Sequence, residues 1–225
     1  MGYISEHIKS FEESNIDNDI IYILYQNVKE TCIELFENGY KNYLTDTEKI
    51  FSEDETKITA GLFDHIERII NDIDLPFFVV PELHQYTSFI KKGEVNPNKA
   101  KRFDLHITHF QTKPRIKFGV EAKLIAEHNT VTRTAATLIN EYVENAGMGK
   151  FINQIYDKAF FDEGFMLGYM LNGSLDGVVS KINFKISTAY SASEQLSKHK
   201  KHYISSYSID AKRKELNHIF LGFTS

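Results

Sequence analysis

Two apolar stretches, Phe103 to Phe110 and Ile116 to Ile125, are separated only by the turn Gln111 to Pro114. A connection that short joins antiparallel neighbours, so the two are expected to form a β-hairpin. Alternation along the first strand places Asp104, His106 and Thr108 on one face and Leu105, Ile107 and His109 on the other. On the second, Glu121 and Lys123 stand two apart and share a face, while Val120, Ala122 and Leu124 take the opposite one. Hairpin pairing can then set Asp104 beside Glu121 and Lys123, so that two carboxylates and one ammonium converge on a rigid sheet.

The remaining elements follow from periodicity and from glycine, asparagine and proline positions. Asp17 to Gly39 reads as a helix with Ile21, Leu24, Val28 and Leu35 at helical spacing and Gly39 as its stop. Leu44 to Phe51 connects it to a second helix, about Glu53 to Asn71, striped by Ile58, Leu62, Ile66 and Ile69 or Ile70. Leu75 to Leu83 is short and rich in Phe and Val, as a buried strand would be, and Lys91 to Ala100 is a loop. After the hairpin, Thr134 to Asn145 and Lys150 to Phe161 read as helices, Gly164 to Leu171 as a strand and Leu175 to Phe184 as a helix. Tyr203 to Ser208 and Leu216 to Phe223 suit a terminal strand pair. The order helix, strand, strand, strand, helix, strand defines an α/β fold with a central mixed β-sheet flanked by helices. At 225 residues one domain is expected: 1–50 an N-terminal helical extension, 51–172 the core, and 173–225 C-terminal helix and strand additions.

Composition narrows the classes. With 42% hydrophobic and 25% charged residues the chain is globular and not disordered. Its apolar runs fall short of the roughly 20 residues that span a bilayer, and the polar start lacks a secretory pattern. Cys32 is the single cysteine, which excludes an internal disulfide or a cysteine-based zinc site and suits a cytoplasmic setting. The net charge of −5 divides unevenly. Residues 1–98 hold 8 Lys/Arg against 19 Asp/Glu, and residues 99–225 hold 18 against 12. A basic half can bind a polyanion locally, with the acidic first helix on the far side.

The chemistry centres on Lys101-Arg102-Phe103-Asp104 and Gly119-Val120-Glu121-Ala122-Lys123. Paired carboxylates without a thiol or imidazole partner suit Mg²⁺, a hard cation that prefers oxygen, with Mn²⁺ as a substitute. Such an ion polarises a phosphoryl oxygen and lowers the pKa of its bound water, and a neighbouring lysine offsets carboxylate repulsion and steadies developing charge.

This arrangement resembles the PD-(D/E)xK nuclease superfamily, which includes many restriction endonucleases, over roughly Glu55 to Leu171. Phe103 replaces the proline of the family's name. The resemblance implies a restriction-endonuclease-like αβββαβ core in which Asp104 and Glu121 bind metal, Ala122 offers its carbonyl and Lys123 serves the nucleophilic water. It adds Glu55 as a further acidic ligand from the preceding helix, although Ser52 and Glu55 also form a capping box. Gly149 to Gln154 followed by Phe165 to Tyr169 resembles the family's next helix and strand, with Gln154 able to face the site. The implied function is a metal-dependent endonuclease acting on DNA as a phage-defence or restriction effector, with a partner protein or a second copy of the chain as possible company. The alternatives are a non-catalytic nucleic-acid-binding or assembly subunit that keeps the fold, and a nuclease acting on RNA or on branched DNA. His84, His106 and His109 offer a rival zinc or manganese constellation, with His106 beside Asp104. Lys198, Lys200 and Lys201, and Lys212, Arg213 and Lys214, are basic clusters that could touch phosphates.

Overall fold

A computed structural model describes residues 18–46, 53–94, 96–190, 194–209 and 212–223. Seven strands form one mixed sheet in the order β1-β2-β3-β4-β7-β6-β5. They are β1 (Phe77–Pro81), β2 (Leu105–His109), β3 (Ile116–Ile125), β4 (Glu163–Met170), β5 (Ser197–His199), β6 (His202–Ile209) and β7 (Lys212–Gly222). The β1–β2 and β2–β3 pairs are antiparallel, β3–β4 and β4–β7 parallel, and β7–β6 and β6–β5 antiparallel. The predicted hairpin is present in the register Leu105↔Val120 to His109↔Ile116. The C-terminal strands continue the same sheet, because β7 lies directly against β4.

Helices α1 (Asn18–Thr45) and α2 (Glu55–Asp72) cover one face; α4 (Ala135–Val143) and α6 (Leu175–Ala189) cover the other. Two short helices, α3 (Ser88–Lys91) and α5 (Gly149–Ile152), lie in the connections. Alternation on the central strands serves both layers. Phe165, Leu167 and Tyr169 face α1 and α2, whereas Met166 and Met170 join the core beneath α4 and α6. Strands buried on both faces have no polar side, as parallel neighbours require. On α2 the expected stripe is realised by Ile58, Leu62, Ile66 and Ile70, each worth roughly 1.5–3 kcal/mol on burial.

Several boundaries differ from expectation for identifiable reasons. Gly39 does not stop α1, which runs on to Thr45. A Cβ there would lie 2.6 Å from Ile66 Cγ1, so the glycine allows α1 and α2 to approach closely. Ile21 and Leu24 are exposed, and the buried stripe of α1 starts at Val28 and continues through Cys32 and Phe36. The Leu75 to Leu83 strand shortens to Phe77–Pro81 at the sheet edge, where Phe77 alone is buried. The loop after residue 90 contains the end of α3 and a 3₁₀ turn, Pro97–Lys99. The Leu175 helix continues to Ala189, past its predicted end at Phe184. The expected Lys150 to Phe161 helix is one turn, Gly149–Ile152, after which Gln154 adopts φ 53° and the chain turns away. That turn delivers Tyr156 into an aromatic group with Phe103, Phe151 and Phe161, whose burial outweighs further helix.

Candidate active site

The hairpin ladder ends at Leu105↔Val120, and β2 starts one residue after Asp104. From Glu121 onward the β2-facing edge of β3 is therefore free to meet side chains. Asp104 still bonds through its own N–H to Val120 O at 3.1 Å. Its carboxylate then takes the place of the missing strand, accepting from Ala122 N at 2.8 Å. The start of α2 fills the next position, where Glu55 Oε2 accepts from Leu124 N at 3.4 Å. Two acidic side chains thus continue a ladder that the backbone abandons.

Glu55 is held there by the helix that carries it. Asp54 is the N-cap of α2, accepting from Thr56 N and Lys57 N at 3.0 and 3.2 Å. Glu55 is therefore not the cap and its carboxylate is free to reach Lys123; the suggested partner Ser52 lies outside the described residues. Thr59 on the next turn bonds to the buried Tyr169 hydroxyl at 3.0 Å and anchors the helix to β4.

Lys123 is the meeting point. Its Nζ lies 2.7 Å from Glu55 Oε1, 3.2 Å from Glu121 Oε1 and 3.7 Å from Asp104 Oδ2, and it donates to Ala122 O at 2.5 Å. Asp104, Glu121 and Lys123 come together as the spacing predicts, and Glu55 joins them. Burial alone would lower the Lys123 pKa, but Glu121, Asp104 and Glu55 override it and hold the ammonium above its ordinary value. It remains charged at neutral pH.

Glu121 sits at the bottom of the cluster with no exposure. Burial, followed by the nearby Asp104 charge, pushes its carboxyl up to about 7. Two residues not singled out by the sequence hold it. Lys150 Nζ, on α5, donates to Oε1 at 2.5 Å, and the Tyr156 hydroxyl donates to Oε2. The same hydroxyl lies 3.0 Å from Arg102 O, and the Lys150 ammonium stands 5.5 Å from the Tyr156 ring centroid. In the sequence Lys150 is legible only as a lysine in the predicted helix after the hairpin. Tyr156 is hidden there, because the predicted helix runs through it.

The outer carboxylates are reachable. Glu55, Thr56, Thr59, Pro81, Glu82 and Asp104 line a cleft of about 290 Å³. Among the described residues no three His, Cys, Asp or Glu side chains form a ready metal-ligand group, and the carboxylates are spaced around the two ammonium groups instead. The donor set is nonetheless one of hard oxygens: three carboxyl groups and the Ala122 carbonyl surround one cation, Lys123. That oxygen chemistry fits a small divalent cation.

The other candidates are placed elsewhere. Gln154 is exposed beyond the end of α5. His106 Nε2 bonds to Phe160 O at 2.7 Å, His84 lies in a bridge with Arg102, and His109 packs edge-on to Phe77, so none of these three joins Asp104. Of the basic clusters, Lys200 and Lys201 pair with Glu30 and Glu37 of the acidic first helix, at the end of the sheet remote from β1. The chain matches no family model, and no curated protein or solved structure is similar enough to count as a match.

Proposed function

We propose that this chain is a Mg²⁺-dependent nuclease that hydrolyses DNA phosphodiester bonds, with Mn²⁺ able to substitute. The observation that carries the reading is the convergence of Glu55, Asp104, Glu121 and the Ala122 carbonyl on one cation beside an open cleft. The order α2, β1, β2, β3, α4, β4, with β3 and β4 parallel, is consistent with a restriction-endonuclease-like core. Asp104, Glu121 and the Ala122 carbonyl would hold the ion, with Glu55 beside them. Bound there, the ion would polarise a phosphoryl oxygen and lower the pKa of a coordinated water. Lys123 supplies a fixed positive charge where the phosphate becomes more negative. Lys150 and Tyr156 keep both oxygens of Glu121 oriented from below. A role in phage defence or restriction, with a partner protein or a second copy, rests on the family resemblance alone.

One observation favours the rival reading of a non-catalytic nucleic-acid-binding subunit: both oxygens of Glu121 already have partners. Incubating the protein with plasmid and single-stranded DNA, in Mg²⁺ and in EDTA, separates the two. Cleavage in Mg²⁺ that EDTA abolishes supports the nuclease. Binding without cleavage at any Mg²⁺ or Mn²⁺ concentration supports the subunit.

A further inference from the structure

The β1–β2 hairpin does not close where its strands end. It continues as a narrow ribbon in which Glu82 N donates to Asp104 O at 3.0 Å, Phe103 N to Leu83 O at 3.2 Å and Gln85 N to Lys101 O at 2.7 Å. His84 and Arg102 form a β-bridge within it. Past the ribbon the described residues form a tip. Thr87 O accepts from Lys91 N at 2.9 Å to form α3, Gly93 follows with φ 78°, and Pro97–Lys99 completes a 3₁₀ turn.

This arm is rooted in the candidate site. Asp104 is part of its base. The Tyr156 hydroxyl that holds Glu121 also lies 3.0 Å from Arg102 O, and Asp157 N donates to the buried Gln85 Oε1 at 2.8 Å. His84 is in register with Arg102, two residues from Asp104, which is roughly 7 Å along an extended strand.

The arm presents two kinds of group outward. Tyr86 is 45% exposed and Phe89 60% exposed, and the Tyr86 ring is stacked on His84 with centroids 6.0 Å apart and planes at 19°. Lys91, Lys92, Lys99, Lys101 and Arg102 are also exposed. Among the described residues only Arg102 of these five has an ion-pair partner, Glu82 at 3.5 Å. Single exposed rings are ordinary on protein surfaces. Two rings and four lysines without an ion pair among the described residues, against one such carboxylate, Glu94, stand on one excursion beside a cluster that would cut a phosphodiester, a combination with a chemical match.

We propose that this arm binds an unpaired DNA strand, stacking its bases on Tyr86 and Phe89 and pairing its phosphates with the surrounding lysines. A duplex offers phosphates and groove edges but keeps its base faces stacked inside, so exposed rings gain little from it. An unpaired strand offers both, and interleaved aromatics and cations are how sequence-tolerant single-strand sites are built. The class of substrate is then DNA with single-stranded character: an end, a flap or a melted segment. Delivery of that strand to Asp104 and Glu121 rests on the nuclease reading, whereas binding by the arm does not.

The test uses the full chain in EDTA, so that cleavage cannot intervene, and fluorescence anisotropy on three labelled probes of equal length: a single strand, an abasic strand and a duplex. The wild type should bind the intact strand roughly tenfold or more tighter than the abasic one, since stacking is worth about fivefold or more per base and two rings are available. It should also prefer the intact strand to the duplex. Tyr86→Ala/Phe89→Ala should bring intact-strand affinity down to the abasic level and leave abasic binding unchanged, while Tyr86→Trp/Phe89→Trp should retain the difference. Equal wild-type binding of intact and abasic strands, no binding of either, a preference for duplex, or an alanine variant that weakens all probes alike would each overturn the proposal. Strand binding of the expected kind without any Mg²⁺-dependent cleavage would leave the arm standing and defeat the nuclease reading. Cleavage with no effect of the ring substitutions on binding would do the reverse.

Discussion

Replacing Tyr156 with phenylalanine removes one oxygen atom and leaves the ring's packing in place. The hydroxyl donates to Oε2 of Glu121, a carboxylate with no exposure, and lies 3.0 Å from Arg102 O. Ring contacts with Phe103 at 4.2 Å and Phe151 at 5.2 Å between centroids should survive the change. A hydrogen bond to a charged group contributes about 1.5–3 kcal/mol, and full burial of Glu121 removes any discount for solvent screening. Lys150 still holds the other oxygen, so the carboxylate is not stripped and the loss should sit near the middle of that range. In a chain of this size 1 kcal/mol moves Tm by about 2–4 °C, so Tyr156→Phe should melt about 4–8 °C below the wild type. Circular dichroism melting at pH 8 in EDTA, where Glu121 is mostly ionised, is the assay. A Tm within about 1 °C of the wild type would show that Glu121 is neutral or wet in the folded protein. The site's electrostatics would then have to be rebuilt.

Gly39→Ala sets helix propensity, which favours alanine by about 1 kcal/mol, against a Cβ 2.6 Å from Ile66. Overpacking costs about 1–3 kcal/mol, so urea denaturation should show a net loss, and a gain would mean that α1 and α2 do not approach closely there. His218 is fully buried between the Tyr142 and Ser205 hydroxyls, and burial, then His202, lowers its pKa to about 3. The unfolded chain binds a proton near pH 6.5 that the folded chain refuses, so this group's contribution is intact above 6.5 and is lost as pH falls from there towards 3. At pH 4.5 the loss should reach about 2–3 kcal/mol, and His218→Gln should show a correspondingly flatter acid limb in denaturation, although it is less stable at pH 7. Parallel limbs for the two proteins would refute the assignment.

Much of the site was legible because strand alternation is a rigid rule. Glu121 and Lys123, two apart in an apolar run, had to share a face, and a short turn had to bring Asp104 near them. The same rule could not show that β2 begins only at Leu105, which frees Asp104 from the strand and from His106 and lets its carboxylate cap the β3 edge. Local periodicity also overran at Lys150 to Phe161, because a turn with positive φ at Gln154 carries no apolar signature. Tyr156 was lost with it. Gly39 illustrates the opposite limit: a glycine inside a helix and one ending a helix look alike until the neighbouring helix is in place. In the sequence Lys200 and Lys201 could equally touch phosphates or lie in a solvated loop, and the folded chain sets them against Glu30 and Glu37. Charge counts along a sequence do not say which opposite charge lies closer.

Whether the carboxylates around Lys123 hold a divalent cation for DNA cleavage, as proposed, is tested most directly by a Mg²⁺ titration of the cleavage rate for wild type, Lys123→Ala and Asp104→Ala in parallel. Lys123→Ala should lose about 10²–10³ in maximal rate at a similar Mg²⁺ requirement, because it removes a charge-stabilising group and no ligand. Asp104→Ala should shift the requirement itself to higher Mg²⁺. DNA binding should persist in Lys123→Ala, since one phosphate contact is a small part of the electrostatic attraction. Wild-type protein that cleaves no DNA in Mg²⁺, or a Lys123→Ala protein that cleaves as fast as the wild type, would contradict the account.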